Sequence, residues 1–359
     1  MDVLVYEHAV AGAMGMRPAQ PTAQQLYDCI LREGEAMWRA VVADFAAVPG
    51  VRVHTLVGVN LSQPVPESVV AERVSEPNVA SAASAKLFAL AARMQAVMVI
   101  APECDGVLWQ LARGVTAAGG RLWSPSAEFI EVAMDKQETC ERLRRAGVPV
   151  PFGIDLSGGT RLPSDFPYPA VLKPRDGAGS FGVRRVERAD AERWQLEEQA
   201  AGWRLERWQA GQAASVAVLG GPGRRLVLPA ATQRLAGETG VEYQGGRWPV
   251  EAALQRRAAR LADAALDALP PTIGYVGIDL ILGDDPSGCD DVVIAVNPRY
   301  TTSYTGLRAA SRVNLAELLI ALQSPDDSRG NPPLELSWHP DSLEFDAAGR
   351  ITRRTERRH

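Results

Sequence analysis

Short apolar runs alternate with longer stretches of helical spacing, and this alternation predicts the architecture. Val3-Leu4-Val5-Tyr6 is an uninterrupted apolar run of strand length. A Gly/Ala-rich loop follows it, then a helical stretch over about 24–47 and a second strand at 51–57. The unit repeats: 86–94 is helical, 97–101 is an apolar strand, 106–118 is helical again, and Arg121-Leu122-Trp123 closes the series. Strands separated by helices predict a parallel sheet covered by helices, an α/β domain of Rossmann type over 1–125.

From Ser126 the pattern changes. A helix at 134–146 runs into Gly147-Val148-Pro149-Val150-Pro151, and a Gly/Ser/Pro-rich loop extends to Pro169. Ala170-Val171-Leu172-Lys173, a glycine-rich turn, the extended run 183–186 and a helix over about 189–201 complete a lid-sized unit, 126–205. A third unit, 206–325, is predicted as mainly strands at 215–219, 225–230, 274–282 and 291–296. These are interrupted by a polar loop at 237–249 and a helix at 251–269, and the unit closes with a helix at 314–322. The Pro/Asp/Gly stretch 324–333 reads as a linker to an appendage, 326–359, ending in a basic, frayed and solvated tail. No internal repeat is evident.

Composition narrows the function classes. With 359 residues and 46% hydrophobic content the chain can bury a large core. No apolar run approaches the roughly 18 residues of a membrane span. The N-terminus enters a strand behind an acidic Asp2, without the basic start and cleavage site of a secretory signal, so a cytoplasmic location is expected. A net charge of -5 gives no field that would draw nucleic acid. Cys29, Cys104, Cys140 and Cys289 match no metal or disulfide spacing.

The candidate chemistry begins at Gly177-Ala178-Gly179-Ser180-Phe181-Gly182. The spacing is GxGxxG, but a dinucleotide site requires a helix to open directly after it. Val183-Arg184-Arg185-Val186 is β-branched and extended instead, so the turn joins two strands. Such a hairpin can lay backbone N–H groups over phosphate oxygens, or it can be an ordinary turn. Lys173 ends the preceding strand at the mouth of this turn, and Lys136 begins the helix Asp135-Lys136-Gln137-Glu138-Thr139. Two ammonium groups beside a glycine turn suit a polyphosphate, although Lys136 taken alone reads as a solvated lysine. Asp279 lies among apolar strand neighbours, where a carboxylate needs a partner or a metal. Asn297 follows one turn and one strand later, so the two can meet across antiparallel strands as oxygen ligands for magnesium. A structural hydrogen bond from Asp279 to backbone is the alternative.

The ordered set Asp135-Lys136, Gly147-Val148-Pro149-Val150-Pro151, Leu172-Lys173-Pro174 with the glycine turn, Gly277-Ile278-Asp279 and Asn297-Pro298-Arg299 resembles the ATP-grasp ligases over about 97–322. Ile100-Ala101-Pro102-Glu103 and 297–308 look like the tyramine:glutamate ligase group of methanofuran biosynthesis. The resemblance implies an N-terminal parallel sheet, a small lid and a C-terminal antiparallel sheet, with ATP and Mg2+ as cofactors. It implies that Lys136, Lys173 and the turn residues Gly177, Gly179, Ser180 and Gly182 hold the phosphates, and that the Glu206-Arg207-Trp208 backbone reads adenine. Asp279 and Asn297 would hold the metal, and Arg299 would steady an acyl phosphate that an amine converts to an amide. Glu7, Glu103, Tyr304 and Arg308 are candidates for the acceptor site, and a homodimer is a family-level expectation. Two positions depart from the pattern. Ala295 stands where the family has a metal-bridging glutamate, and Gly211 is followed by Gln212-Ala213-Ala214 rather than by an acidic ribose ligand. A degenerate ATP-grasp protein that binds nucleotide or a partner without catalysis is therefore the competing expectation. A dehydrogenase is a more distant one, and a protein kinase is excluded because no HRD or DFG triplet follows the turn.

Overall fold

Burial on both faces explains why the first strands are continuously apolar. In the computed structural model, β1 (Asp2–Glu7), β2 (Arg52–Val57), β3 (Val69–Arg73) and β4 (Ala96–Ile100) form a parallel sheet in the order β3-β2-β1-β4. Helices α1 (Pro21–Ala46), α2 (Val79–Ala91) and α3 (Val107–Ala117) connect them. Strand β4 is buried at every position, whereas β3 buries only Val69 and exposes the rest. That exposed edge strand is absent from the sequence prediction, because a half-polar Val-Val-Ala-Glu-Arg lacks the apolar run. The structure describes every residue except 16, 17, 19, 60, 75–78, 157–160, 192, 193, 195–201, 238–240, 324–334 and 355–359. The predicted linker 324–333, much of the predicted helix 189–201 and the chain end lie outside the described residues.

The lid unit follows α4 (Ala127–Ala133) and α5 (Lys136–Arg145). Asp135 caps α5 by accepting from the Gln137 and Glu138 amides at 2.8 and 3.2 Å. Strands β5 (Gly153–Asp155), β6 (Ala170–Pro174), β7 (Arg184–Val186) and β8 (Trp203–Arg207) pair antiparallel in the order β5-β8-β6-β7, with α6 (Arg188–Ala191) after β7. The glycine turn thus joins two strands, as the residues after it predict. Leu162, Phe166, Leu172, Val186 and Leu205 give the lid a small core of its own.

The third sheet combines β9 (Gln212–Gly221), β10 (Arg224–Val227), β11 (Ala231–Ala236), β12 (Glu242–Trp248), β13 (Gly274–Leu282) and β14 (Val292–Asn297) with β15 (Ser342–Phe345) and β16 (Ile351–Arg354). Its order is β14-β13-β9-β11-β12-β15-β16, with β10 on β9, and every pairing is antiparallel. Helix α7 (Ala252–Asp267) packs on β13 and β9. Two expectations change here. The stretch 242–248 is a strand rather than a polar loop. Its glycines mark close contact, since a Cβ at Gly246 would meet the Thr232 carbonyl at 2.3 Å. The segment 351–354, expected in a solvated tail, pairs with β15 at the sheet edge.

One buried polar junction ties the first unit to the third. Asp44 of α1 accepts the Tyr304 hydroxyl at 2.6 Å and the Arg308 guanidinium at 2.5 Å, both from α8 (Ser303–Ala310). The Asp44 carbonyl also accepts from Asn314 Nδ2 at 2.8 Å, just before α9 (Leu315–Gln323). Tyr304 itself packs edge-on against Tyr275 and Tyr300. Removing the phenol hydroxyl would leave a buried carboxylate short of a donor. Tyr304→Phe is therefore expected to lower unfolding stability by about 1–3 kcal/mol. Denaturant titration checks this, and an unchanged midpoint would show that the junction bears no stability.

Candidate functional site

The edge strand β14 faces α5 and the base of the glycine hairpin across a cleft open to solvent. Glu103, Lys136, Cys140, Gly177, Ala295 and Asn297 are among the residues that line it. Four positions expected from sequence to form one site, Glu103, Lys136, Gly177 and Asn297, thus share one space.

Lys136 occupies the first position of α5, and its Nζ donates to the Gly177 carbonyl at 2.6 Å. Its pKa is lowered by burial and then by the neighbouring charge of Lys173. The two ammonium groups therefore repel each other within one partly desolvated space, an arrangement that an arriving polyanion would relieve. Lys173 is buried at the end of β6 and donates to the Ile294 carbonyl at 3.2 Å. Its Nζ also lies 2.6 Å from Glu206 Oε2, while Arg204 Nε bonds Glu206 Oε1 at 2.6 Å. Burial opposes the Glu206 charge, yet the two cations outweigh it and hold the pKa below the usual value.

In the hairpin, Gly179, Ser180 and Gly182 take φ of 64°, 62° and 73°. Ser180 is a non-glycine residue in the left-handed region, a sparsely used conformation that tight ligand loops tolerate. Phe181 at the tip is 59% exposed. The expected adenine-reading segment Glu206-Arg207-Trp208 lies at the end of β8. Here the Arg207 and Trp208 amides donate to the Phe152 and Pro169 carbonyls at 2.8 and 2.9 Å. A base could use these amides only if those bonds opened.

Asp279 and Asn297 lie on the adjacent antiparallel strands β13 and β14, as expected, with Asn297 paired to Gly277 and Asp279 to Ala295, so their side chains meet diagonally. The Asn297 amide donates to Asp279 Oδ2 at 2.9 Å, and Gln233 of β11 donates to Oδ1 at 2.8 Å. Burial raises the Asp279 pKa against these bonds. Ala295 pairs directly with Asp279 and lines the cleft, two residues from Asn297 on the same face. Among the described residues, no three His, Cys, Asp or Glu side chains are grouped to hold a metal ion. One carboxylate and one amide oxygen still fit a single magnesium that takes its remaining ligands from substrate phosphates and water.

At the far end of the cleft Arg299 grips Glu103 through two bonds, Nε–Oε2 at 2.6 Å and Nη2–Oε1 at 3.3 Å. Glu7, at the C-terminal end of β1, is buried and accepts the Val10 amide at 2.6 Å. Burial pushes its carboxyl up to about 8. Tyr304 and Arg308, expected at the acceptor site, are instead engaged with Asp44 and are not among the cleft-lining residues. Sequence reasoning missed Gln233 and Arg204, neither of which falls in a recognisable motif. It also missed Asp176, whose Oδ2 accepts from the Asp105 amide at 2.8 Å and links the hairpin base to the loop after β4.

This fold and cleft define an ATP-grasp protein. The ATP-grasp domain family matches residues 133–303 and the pre ATP-grasp 3 domain matches 57–130, so the chain carries an ATP-grasp domain over 133–303 with a pre ATP-grasp domain before it. Similar solved structures include an ATP-grasp superfamily protein from Archaeoglobus fulgidus, at 19% identity and a TM-score of 0.69, covering 96% of this chain and 92% of that one. An L-amino acid ligase from Bacillus licheniformis is similar at 17% identity and a TM-score of 0.61, with 96% of this chain and 78% of that one covered. N5-carboxyaminoimidazole ribonucleotide synthetase from Thermotoga maritima is similar at 17% identity and a TM-score of 0.61, over 96% and 79%. At these identities the likeness shows the fold. No curated protein matches the sequence. Among the described residues, no helix is long and apolar enough to cross a membrane.

The buried Glu7 generates a pH prediction. Its folded pKa of about 8 lies above the unfolded value, so the folded state holds a proton that the unfolded chain has released at intermediate pH. Stability is then lost as pH rises from the unfolded carboxylate range toward 8, and levels off above it. Glu7→Gln should flatten this slope and raise the melting temperature, relative to the natural protein, more at pH 8 than at pH 5. An equal shift at both pH values would contradict the assignment.

Proposed function

We propose that this protein is a Mg-ATP-dependent carboxylate–amine ligase that forms an amide bond between small molecules through an acyl phosphate. The observation that carries this reading is that Lys136 and Gly177, at the base of the glycine hairpin, line one cleft with Asn297, while Lys173 reaches the Ile294 carbonyl of the same cleft-lining strand and acts electrostatically on Lys136. Lys136 and Lys173 would hold the triphosphate, and Gly177, Gly179, Ser180 and Gly182 would close over it. Magnesium, held by Asp279 and Asn297, would supply charge neutralisation at the phosphates. A substrate carboxylate attacks the γ-phosphorus and ADP leaves. Arg299 offers its guanidinium to the resulting acyl phosphate, and the amine then displaces inorganic phosphate at the carbonyl carbon. Positioning and charge stabilisation do most of this work. For the substrates, the likeness of the Glu103 and 297–308 segments to the tyramine:glutamate ligase group points to glutamate and an aromatic amine, in the biosynthesis of a one-carbon carrier cofactor.

A second reading has a specific observation in its favour. Ala295 faces Asp279 where the family places a bridging carboxylate, so one metal has lost its anchor. Nucleotide binding without turnover would follow from that loss. ADP release from Mg-ATP with glutamate and a panel of amines including tyramine separates the two, run beside Ala295→Glu. Amine-dependent release by the natural protein supports the ligase. Silence in the natural protein with turnover in the variant supports the binding protein, and silence in both overturns the ligase assignment. Lys136→Met should weaken ATP binding at least about tenfold, the scale of one lost charge-assisted bond.

A further inference from the structure

Cross-strand register lines up one partly open polar face on the large sheet. Asp279 of β13 pairs with Ala295 of β14 on one side and with Ser215 of β9 on the other, and Ser215 pairs in turn with Ala231 of β11. Residues directly opposite one another in a sheet point to the same face, as do residues two apart along a strand. Asn297, Ala295, Asp279, Ser215 and Gln233 therefore share one face that runs from β14 to β11. Burial agrees with this. Val296, Ile278 and Leu280 are buried, whereas Asn297, Ala295, Asp279 and Gln233 are each half-buried. Ala295 and Asn297 carry the face into the cleft.

Gln233 reaches Asp279 from a strand that is not its neighbour. Strand β9 lies between β11 and β13, and the Gln233 amide crosses it to donate to Asp279 Oδ1 at 2.8 Å. The crossing is open because β9 presents the small side chains of Ala213 and Ser215 on this face. Asn297 takes the other oxygen, Oδ2, at 2.9 Å. One carboxylate is thus held by two side-chain amides, and each amide carries an acceptor oxygen as well as an NH2 group. Rotation about the terminal torsion exchanges the two ends, so both side chains can offer an oxygen to a cation at Asp279. Ala295, directly opposite Asp279, has no polar group to offer. The oxygen that a carboxylate at that position would supply is matched here by a long amide arriving from β11.

We propose that Gln233 is a third protein ligand on this face, offering its amide oxygen beside Asp279 and Asn297 to the magnesium ion in place of the carboxylate that Ala295 lacks. Magnesium and manganese both accept carboxylate and amide oxygens and fill their remaining positions with phosphate and water. The identity of the ion rests on the ligase reading, but ion binding itself is measured without turnover. Mn2+ serves as the probe, titrated into the full chain alone and with a non-hydrolysable ATP analogue. Water-proton relaxation distinguishes Mn2+ on the slowly tumbling protein from Mn2+ on free nucleotide. Gln233→Met keeps the length of the side chain and removes its oxygen, and should weaken Mn2+ at least about tenfold. Gln233→Glu puts a carboxylate in the same place and should tighten Mn2+ by about tenfold. A residue that merely positions Asp279 through its N–H predicts the opposite sign for Gln233→Glu, because the donor is lost and a second charge repels Asp279. In the Ala295→Glu background the added carboxylate takes over, so Gln233→Met should cost less there than in the natural background. The proposal is overturned if the natural protein binds no Mn2+, if Gln233→Met binds it as tightly as the natural protein, or if Gln233→Glu weakens it. Should Gln233→Glu fail to fold, Gln233→Met in the two backgrounds decides. Binding of the analogue to the same samples keeps the two readings apart. Mn2+ binding that follows Gln233 without any analogue binding sinks the ligase and leaves the metal ligand standing, and analogue binding with Mn2+ indifferent to Gln233 does the reverse.

Discussion

Placing two lysine ammonium groups in one partly dry cleft is the constraint from which much of the site's arrangement follows. Each charge removed from water must be compensated within a few ångströms. Lys173, the more deeply buried, is compensated permanently by Glu206, and Arg204 on the same carboxylate makes that group an ionised bridge rather than a protonated acid. Lys136 donates to the Gly177 carbonyl, is drawn more weakly by the Glu103 and Asp176 carboxylates, and feels Lys173 as a repulsive neighbour, so that its pKa stays lowered. The asymmetry suits division of labour. One ammonium is a fixed part of the lid, and the other is electrostatically unsatisfied and ready for an anion.

The same compensation explains how the units are placed. Glu206 and Arg204 lie on β8 and Lys173 on the adjacent β6, so the lid sheet supplies the whole ion cluster. The Lys173 bond to the Ile294 carbonyl then fastens that cluster to β14 of the large sheet. From the other side, Arg299 just after β14 reaches Glu103 in the loop after β4, joining the large sheet to the first unit. The cleft thus lies between a lid ion cluster, fastened to β14 through Lys173, and the Arg299–Glu103 pair, which itself joins two units. The Asp44 junction with Tyr304 and Arg308 is a third tie, placed away from the cleft.

Much of this was legible in the residues. Continuous apolar runs announced β1 and β4 because both faces of those strands are covered, and β-branched residues after the glycine turn announced a hairpin rather than a helix. The spacing of Asp279 and Asn297 around a short turn placed them on adjacent antiparallel strands, where their side chains meet diagonally. What escaped had a physical reason in each case. Strand β12 is rich in glycine and polar residues because Thr232 and Phe345 pack against its backbone, so it reads as a loop. Strands β15 and β16 are held by pairing with a distant strand, which local propensity does not encode. Tyr304 and Arg308 look like site residues beside Arg299, yet their partner Asp44 is 260 residues away in sequence. No local pattern could have named it.

The bearing of Ala295 on the metal face can be argued further from its surroundings. A second carboxylate beside Asp279 would need neutralisation in every state of the protein, and without a metal it would repel Asp279 across a directly opposed strand pair. With alanine there, Asp279 is satisfied by two amide donors, Asn297 and Gln233, which can hold it whether it is ionised or protonated. Burial already pushes this carboxyl toward the protonated form, so the face stays intact without a divalent ion. What this face lacks is a second carboxylate beside Asp279, so in the proposed function the lysines across the cleft would carry a larger share of the phosphates' neutralisation. Under the proposed function, Lys136 and Lys173 would then bear more of the phosphate binding than the Asp279–Asn297 pair.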